Sequence, residues 1–455
     1  MHPTALNGKK VTVIGGGRSG LAVSRLLVEA GGRVFLTEKN PPTHQLIEAL
    51  DRIGATYEFE GHTARALEAD FLVISPGVPS TLTLVQQALR LGLPVYSEIE
   101  VASWFCKAPM VAITGSNGKT TTTSLIGHVF RQSGRRTIVA GNIGFPFSDY
   151  LHDLTPDDVV VLEVSSFQLD HIATFRPRVS VLLNITPDHL DRYNYDFNLY
   201  AQSKFRVFEN QTGQDVLVYN HDDALIRDYV AVVQKRRNLK AMGFSLETEP
   251  ETGAFVRNGA LVLRIHQDEE VLMQAEQLAL RGRHNLYNSL AAAIAARVME
   301  VRSNVVRESL ASFEGVPHRL EFVREIDHVR YVNDSKATNV NAVWYALESF
   351  DEPILLLAGG RDKGNDYTPL KPLVRQKVRA VIALGESAEK VMQELGTQAE
   401  HSLRAQTMEE AVKMAHMLAL PGDVVLLSPA CASFDMFQNY EDRGDTFKRL
   451  VENLL

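Results

Sequence analysis

Hydrophobic positions fall into short, near-continuous apolar runs separated by stretches with helical periodicity. The runs end in turns rich in glycine, serine, proline and asparagine. In the first block, an apolar run at 11–14 leads into Gly15-Gly16-Gly17-Arg18-Ser19-Gly20 and then an amphipathic helix to about residue 30. Further strands are predicted at 33–37 and 70–75, the latter ending in Ser75-Pro76-Gly77-Val78-Pro79. A helical stretch and Pro109 separate this block from a second. There the runs at 110–114, 158–164 and 179–185 show no alternation, as expected of parallel strands buried on both faces. A polar helix around Lys204, a strand at 215–220, a β-rich excursion over 240–271 and an alanine-rich helix over 287–296 complete it. After Pro317, strands at 330–333, 353–358, 379–384 and 423–428 alternate with helices.

This alternation predicts an α/β protein of three domains. A Rossmann-like N-terminal domain is expected over 1–98, and a central P-loop ATPase-like domain with a mainly parallel sheet over 99–316. A C-terminal Rossmann-like α/β domain is expected over 317–455. The strand–glycine turn–helix unit of the first block offers backbone amides and a helix N-terminus to a phosphate or diphosphate. A nicotinamide cofactor is the minority reading. The second strand runs into Thr37-Glu38-Lys39, and nothing downstream resembles a hydride-transfer site.

Composition narrows the class. A chain of 455 residues is too long for one ordinary core, and 45% hydrophobic with 22% charged residues is a soluble globular balance. The net charge of −8 argues against nucleic acid or an anionic membrane as main partner. No apolar leader is expected at the start of the chain, and no run is long enough to span a bilayer. Two cysteines, Cys106 and Cys431, fit a reducing cytoplasm rather than a disulfide framework. A cytoplasmic monomer acting on small molecules is the expectation.

The candidate chemistry sits at strand ends. In "VAITGSNGKTTTT", Gly118-Lys119-Thr120 is a phosphate-loop core, but the usual spacing would put the first glycine at Ile113. Here it is Gly115, leaving only Ser116 and Asn117 between the glycines. Lys119 can reach the β- and γ-phosphates and Thr120 can bind magnesium. Glu163 ends an apolar strand, where a second magnesium contact would be needed. His189 follows another buried strand and is a candidate for a metal or substrate role. Asn285 and Arg319 are candidates for adenine or phosphate, with capping and surface roles as the alternatives. The turns at 333–339, 359–363 and 428–435 bring lysines and hydroxyls to strand ends, which suits an amino acid with extra carboxylates.

The short loop together with "EVSSFQL", "PDHLDRY", "GRHNLYN", "PHR", "NDSKATN", "GGRDKG" and "SPACASFDMFQNYEDRGDTF" resembles the Mur ligases, over essentially the whole chain. The loop itself is similar to the one that Mur ligases share with folylpolyglutamate synthetases. The resemblance implies an ATP-dependent amide-bond-forming ligase that adds D-glutamate to UDP-N-acetylmuramoyl-L-alanine through an acyl phosphate. Such an enzyme serves cytoplasmic peptidoglycan precursor synthesis, and through it cell-wall biogenesis, cell shape and division. It implies that Gly115, Ser116, Asn117, Gly118, Lys119, Thr120 and Thr121 cradle ATP, with Asn285, Arg319 and Asp334 contributing. Thr120 and Glu163 would hold one magnesium, and His189 with a carbamylated Lys204 a second. Lys336, Thr338, Lys363, Ser433 and Phe434 would hold D-glutamate. Arg18, Ser19, Thr37, Ser75 and Asn142 would face the UDP part. Closure of the third domain over the second is the expected way to exclude water. Folylpolyglutamate synthetase is a nearby rival that has no need of the first domain. A nucleic-acid motor is a distant one, lacking here both the full Walker loop and a basic surface.

Overall fold

Five parallel strands form the first sheet, in the spatial order Thr56–Glu58, Arg33–Thr37, Lys10–Ile14, Phe71–Ile74, Val95–Ser97. The order reverses direction between Lys10–Ile14 and Phe71–Ile74. The crevice beyond their carboxyl ends, where Gly15 and Ser75 lie, is therefore the topological switch point of the sheet. The computed structural model describes residues 6–265, 268–362 and 364–454. Its chain divides into two compact units, Met1–Leu278 with Leu286–Phe313, and Ala279–Asn285 with Glu314–Leu455.

The first unit also contains a nine-stranded sheet. Met110–Thr114 lies between Val159–Glu163 and Val179–Leu182, all parallel, so the segments that follow these three strands share one edge. Val111, Ala112, Ile113, Val160, Val161 and Leu162 are fully buried, as their unbroken apolar runs require. Beyond Lys240–Ser245 the sheet continues into Gly253–Arg257, Ala260–Ile265 and Asp268–Gln274, whose mutual pairings are antiparallel. Here Arg257 and Arg264 interleave with Glu249 and Glu269, and both guanidinium groups lie over the Phe255 ring. Val271 stands exposed on the outermost strand.

The second unit has a six-stranded sheet. Its order is Glu321–Ile326, Val329–Asn333, Val424–Leu427, Ile354–Gly359, Val378–Leu384, His401–Arg404, antiparallel only at the first pairing. Asn333 pairs in register with Leu427, and Leu427 with Leu357, so the turns after these three strands are neighbours.

Several strands begin one residue later than the apolar runs suggest. Asp158, Asp215 and Asp423 precede their strands and act as caps on the turns before them. Asp158 accepts from the amide and hydroxyl of Thr155, Asp215 from those of Thr212, and Asp423 from the amide of Leu420. The strands missed by periodicity are short or lie at sheet edges. Glu321–Ile326 and His401–Arg404 keep polar side chains in water and so lack an apolar run. No described helix is long and apolar enough to cross a membrane, and neither cysteine is in a disulfide.

A short helix, Glu98–Ser103, joins the first two sheets of the first unit. Its Glu100 is fully buried and accepts from the amides of Ala173, Thr174 and Phe175, the Thr174 hydroxyl and the Trp104 indole. Five donors converge on one carboxylate, so each oxygen must accept. Glu100→Gln turns one of them into a donor aimed at donors. The midpoint of urea unfolding of the first unit should fall, by about 2 kcal/mol of stability; an unchanged midpoint would refute this anchoring role.

Candidate functional site

The short loop is held from behind by its own sheet. Ser116 donates its amide to the Asn184 carbonyl, and its hydroxyl donates to the Thr186 carbonyl. Asn184 accepts the Asn117 amide at 2.8 Å and donates back to the Asn117 carbonyl at 3.1 Å. Gly118 adopts a left-handed φ of 81°, and a Cβ there would stand 2.6 Å from Oδ1 of Asn288. Asn288 in turn accepts from the Thr122 hydroxyl. Helix Lys119–Gln132 starts immediately afterwards, with Thr120 and Thr121 buried in its first turn. The result is a helix N-terminus opening directly on the loop, a geometry that suits an anion.

Two lysines meet at this loop. Lys119 folds back to donate to the Gly115 and Ser116 carbonyls, both at 2.8 Å. Lys204, on helix Phe197–Phe205, donates to the same Gly115 carbonyl at 2.8 Å and is only 2% exposed. The sequence reads here as a polar helix on which a lysine would face water, but the structure buries Lys204. Its ammonium lies 4.6 Å from the Tyr200 ring centre, and the Tyr200 hydroxyl is 2.9 Å from the Ser116 hydroxyl. Burial, and then the neighbouring Lys119 charge, push the Lys204 amine well below the ordinary lysine range, against the pull of Asp188, Asp170 and Glu163.

Glu163 is 3% exposed. One carboxylate oxygen accepts from the Asn142 amide group at 3.0 Å, while the other is buried with no hydrogen-bond partner. A desolvated carboxylate oxygen left over beside a phosphate loop fits a hard divalent cation. Among the described residues no three His, Cys, Asp or Glu side chains cluster as a metal cage. Magnesium takes one or two protein oxygens and completes its shell with phosphate and water, so the single free Glu163 oxygen suits it. His189 is half exposed in a left-handed conformation (φ 51°), its ring edge-on to Phe167 at 5.2 Å.

Four of the five residues expected to face a UDP group gather at the first sheet's switch point. Arg18 and Ser19 open helix Arg18–Glu29, Thr37 ends the strand beside the turn, and the Ser75 hydroxyl donates to the Gly15 carbonyl at 3.3 Å. Thr37 donates to Glu58 at 2.7 Å and lies 2.7 Å from His62. Glu38 accepts the Gly16 amide at 2.8 Å. Burial opposes its ionisation, but the Gly16 and Asn40 hydrogen bonds hold its carboxyl below the ordinary range. Asn142, the fifth, is placed on Glu163. Periodicity gave no hint of Arg192, which stacks on Phe167 at 4.2 Å and donates to the carbonyls of Pro76 and Val78. Tyr200 was legible only as the residue one helical turn before Lys204.

In the second unit, Asp334 is fully buried. It accepts from the Ser428 hydroxyl at 2.8 Å and the Leu320 amide at 3.3 Å, and lies 3.8 Å from the Arg319 guanidinium. Burial pushes its carboxyl up to about 6, with Arg319 pulling the other way. His284 is lowered to about 4 by burial and then by the Arg319 charge, so the "GRHN" and "PHR" motifs lie together. Asn285 donates to the Arg281 carbonyl at 2.8 Å. Lys336 sits 5.2 Å from the Tyr440 ring, and the Thr338 amide donates to the Lys336 carbonyl. Ser433 is buried whereas Phe434 is 61% exposed. Lys363 lies outside the described residues.

Three family models match in succession: "Mur ligase MurD-like, N-terminal domain" over 9–97, "Mur ligase middle domain" over 113–296, and "Mur ligase, glutamate ligase domain" over 318–431. The chain is 64% identical over 460 aligned residues, covering all of both chains, to UDP-N-acetylmuramoylalanine–D-glutamate ligase of Salinibacter ruber. It is 48% identical, over 99% of each chain, to the ligase of the same name from Chloroherpeton thalassium. In fold it is similar to UDP-N-acetylmuramate–alanine ligase of Thermotoga maritima (TM-score 0.59, 17% identity, 98% and 99% of the two chains). It is also similar in fold to the MurF ligase of that organism, solved with ADP (TM-score 0.60, 18% identity, 92% and 95%). Full-length identity of this order, on a chain that presents a phosphate loop and an unpartnered carboxylate oxygen, leaves one conclusion: the chain belongs to the Mur ligase family.

Proposed function

We infer that the chain is an ATP-dependent ligase that joins D-glutamate to UDP-N-acetylmuramoyl-L-alanine in peptidoglycan precursor synthesis. The observation that carries this reading is the full-length 64% identity to a ligase of that name. Mur ligases use ATP and magnesium, and the phosphate loop with Glu163 fits both. Residues 1–98 are assigned the UDP end of the substrate, 99–316 the ATP, and 317–455 the amino acid. A monomer is proposed, placed in the cytoplasm because that is where such precursors are made.

The reaction sets an anionic carboxylate against an anionic phosphate. Loop residues Gly115 to Thr121 take the ATP phosphates on backbone amides and the helix N-terminus. Lys119 leaves its two loop carbonyls for the transferring phosphoryl group, where its charge counts most in the transition state. Thr120 and Glu163 would hold magnesium, which would supply positive charge to the phosphates. The substrate carboxylate oxygen attacks the γ-phosphorus, the bond to ADP breaks and ADP departs. The carbonyl carbon of the resulting acyl phosphate then meets the D-glutamate amine. A C–N bond forms, the C–O bond breaks, inorganic phosphate leaves, and the amine gives up its proton. Arg319, Asp334 and Asn285 are assigned to the nucleotide. Lys336, Thr338, Lys363, Ser433 and Phe434 are assigned to D-glutamate, and Arg18, Ser19, Thr37, Ser75 and Asn142 to the uridine diphosphate and muramoyl parts.

Lys204 is assigned a carbamate. An ammonium beside a cation would be repelled, but burial and Lys119 favour the neutral amine. Addition of that amine to carbon dioxide forms an N–C bond and releases one proton, leaving an anion with two oxygens. Together with His189 it would hold a second magnesium.

Three measurements test these assignments. Phosphate release with UDP-N-acetylmuramoyl-L-alanine and ATP should depend on D-glutamate. Dependence on L-glutamate or diaminopimelate instead would sink the substrate assignment. Lys119→Ala should remove nearly all turnover while keeping the fold, a loss on the order of several kcal/mol in barrier. A folded variant that keeps most of its rate would show that the loop does not serve ATP. Lys204→Ala should lose most activity and regain part of it in formate or acetate. An active variant, together with an unmodified amine at residue 204 by mass, would exclude the carbamate.

A further inference from the structure

Helix Tyr440–Glu452 contains a single glycine, Gly444. A glycine inside a helix costs roughly 1 kcal/mol relative to alanine. Its φ is not among the positive ones, so the backbone gives no reason for it. The reason is steric. A methyl group at residue 444 would collide with Nδ1 of His318 and come within 3.0 Å of the Asn333 amide nitrogen.

His318 is 7% exposed and holds a left-handed φ of 63°, and Leu320 holds one of 45°. Arg319 is the one residue between them. Positive φ at two bulky side chains is strain, and it persists only where the surroundings over-determine it. Here the His318 amide donates to Glu321 at 2.8 Å, its carbonyl accepts the Lys336 amide at 3.0 Å, and the Leu320 amide donates to Asp334. The Asn333 amide group lies 3.0 Å from the His318 ring nitrogen and 3.0 Å from Glu321, and 3.4 Å from the Gly444 carbonyl. The ring thus fills the gap in the helix, and the strained turn is locked around it.

We propose that Gly444 is a positioning residue: the gap it leaves seats the His318 ring, and the seated ring holds the turn that aims Arg319. This rests on Arg319 engaging ATP. Gly444→Ala should raise the KM for ATP roughly ten- to hundredfold, as a small misplacement of a distant group can. The thermal midpoint should move by no more than a few degrees, because the helical gain of alanine and the cost of displacing the His318 ring oppose each other. Gly444→Ala combined with His318→Gly should recover much of that loss, since the ring is gone and glycine accepts the left-handed turn. A wild-type KM in Gly444→Ala overturns the proposal. So does a loss explained by unfolding at the assay temperature, or a double variant no better than the single one. Arg319→Ala separates the two layers. If it keeps a wild-type KM for ATP, the nucleotide role of Arg319 falls; if it is impaired while Gly444→Ala is not, only the link through Gly444 falls.

Discussion

One carbonyl oxygen organises the first unit. The Gly115 carbonyl accepts from both Lys119 and Lys204 at 2.8 Å, so two ammonium groups converge on one backbone dipole. Burial and the neighbouring Lys119 charge disfavour the Lys204 ammonium, and its amine is held well below the ordinary lysine range against the pull of Asp188, Asp170 and Glu163. Much of the surrounding architecture follows from this. The Gly115 carbonyl of the short loop lies within reach of both helix Phe197–Phe205 and the loop's own lysine. The Tyr200 ring and hydroxyl fix the distance between that helix and the loop. Glu163 supplies negative potential from the neighbouring strand.

The second unit solves a related problem with opposite signs. Asp334 is buried with its carboxyl raised, and Arg319, Ser428 and the Leu320 amide offset the cost of its charge. Beneath the neighbouring turns, Arg443 is 2% exposed and donates to the Ser335 and Cys431 carbonyls and the Ser335 hydroxyl. Its guanidinium ties the "NDSKATN" turn to the "SPACASFD" turn through two carbonyls and a hydroxyl. Burial accordingly lowers it to about 10.

What was legible in the sequence is what repeats or what is strongly apolar. The central strands declared themselves through unbroken valine and leucine, and the loop through Gly-Lys-Thr at a strand end. Edge strands such as Glu321–Ile326 did not, because half of each faces water. The partners that tune the site were also hidden. Asn184, Asn288 and Arg192 act on residues far away in the chain, and no local pattern encodes which loop a distant asparagine will brace. The burial of Lys204 was invisible for the same reason. Its helix has no clear apolar face, and only the sheet it packs on decides which side is dry.

The outer margin of the nine-stranded sheet has a bearing on how these molecules behave in a crowd. Asp268–Gln274 opens with Asp268, Glu269 and Glu270, and presents its unpaired backbone groups in their company. A second copy pairing the same strand in parallel register would set Asp268 and Glu270 against their own kind across about 5 Å. Arg257 and Arg264, which could have neutralised a visitor's acids, are already engaged by Glu249 and Glu269 of their own chain. The edge is thereby kept from templating strand-to-strand growth, although the exposed Val271 would otherwise invite it.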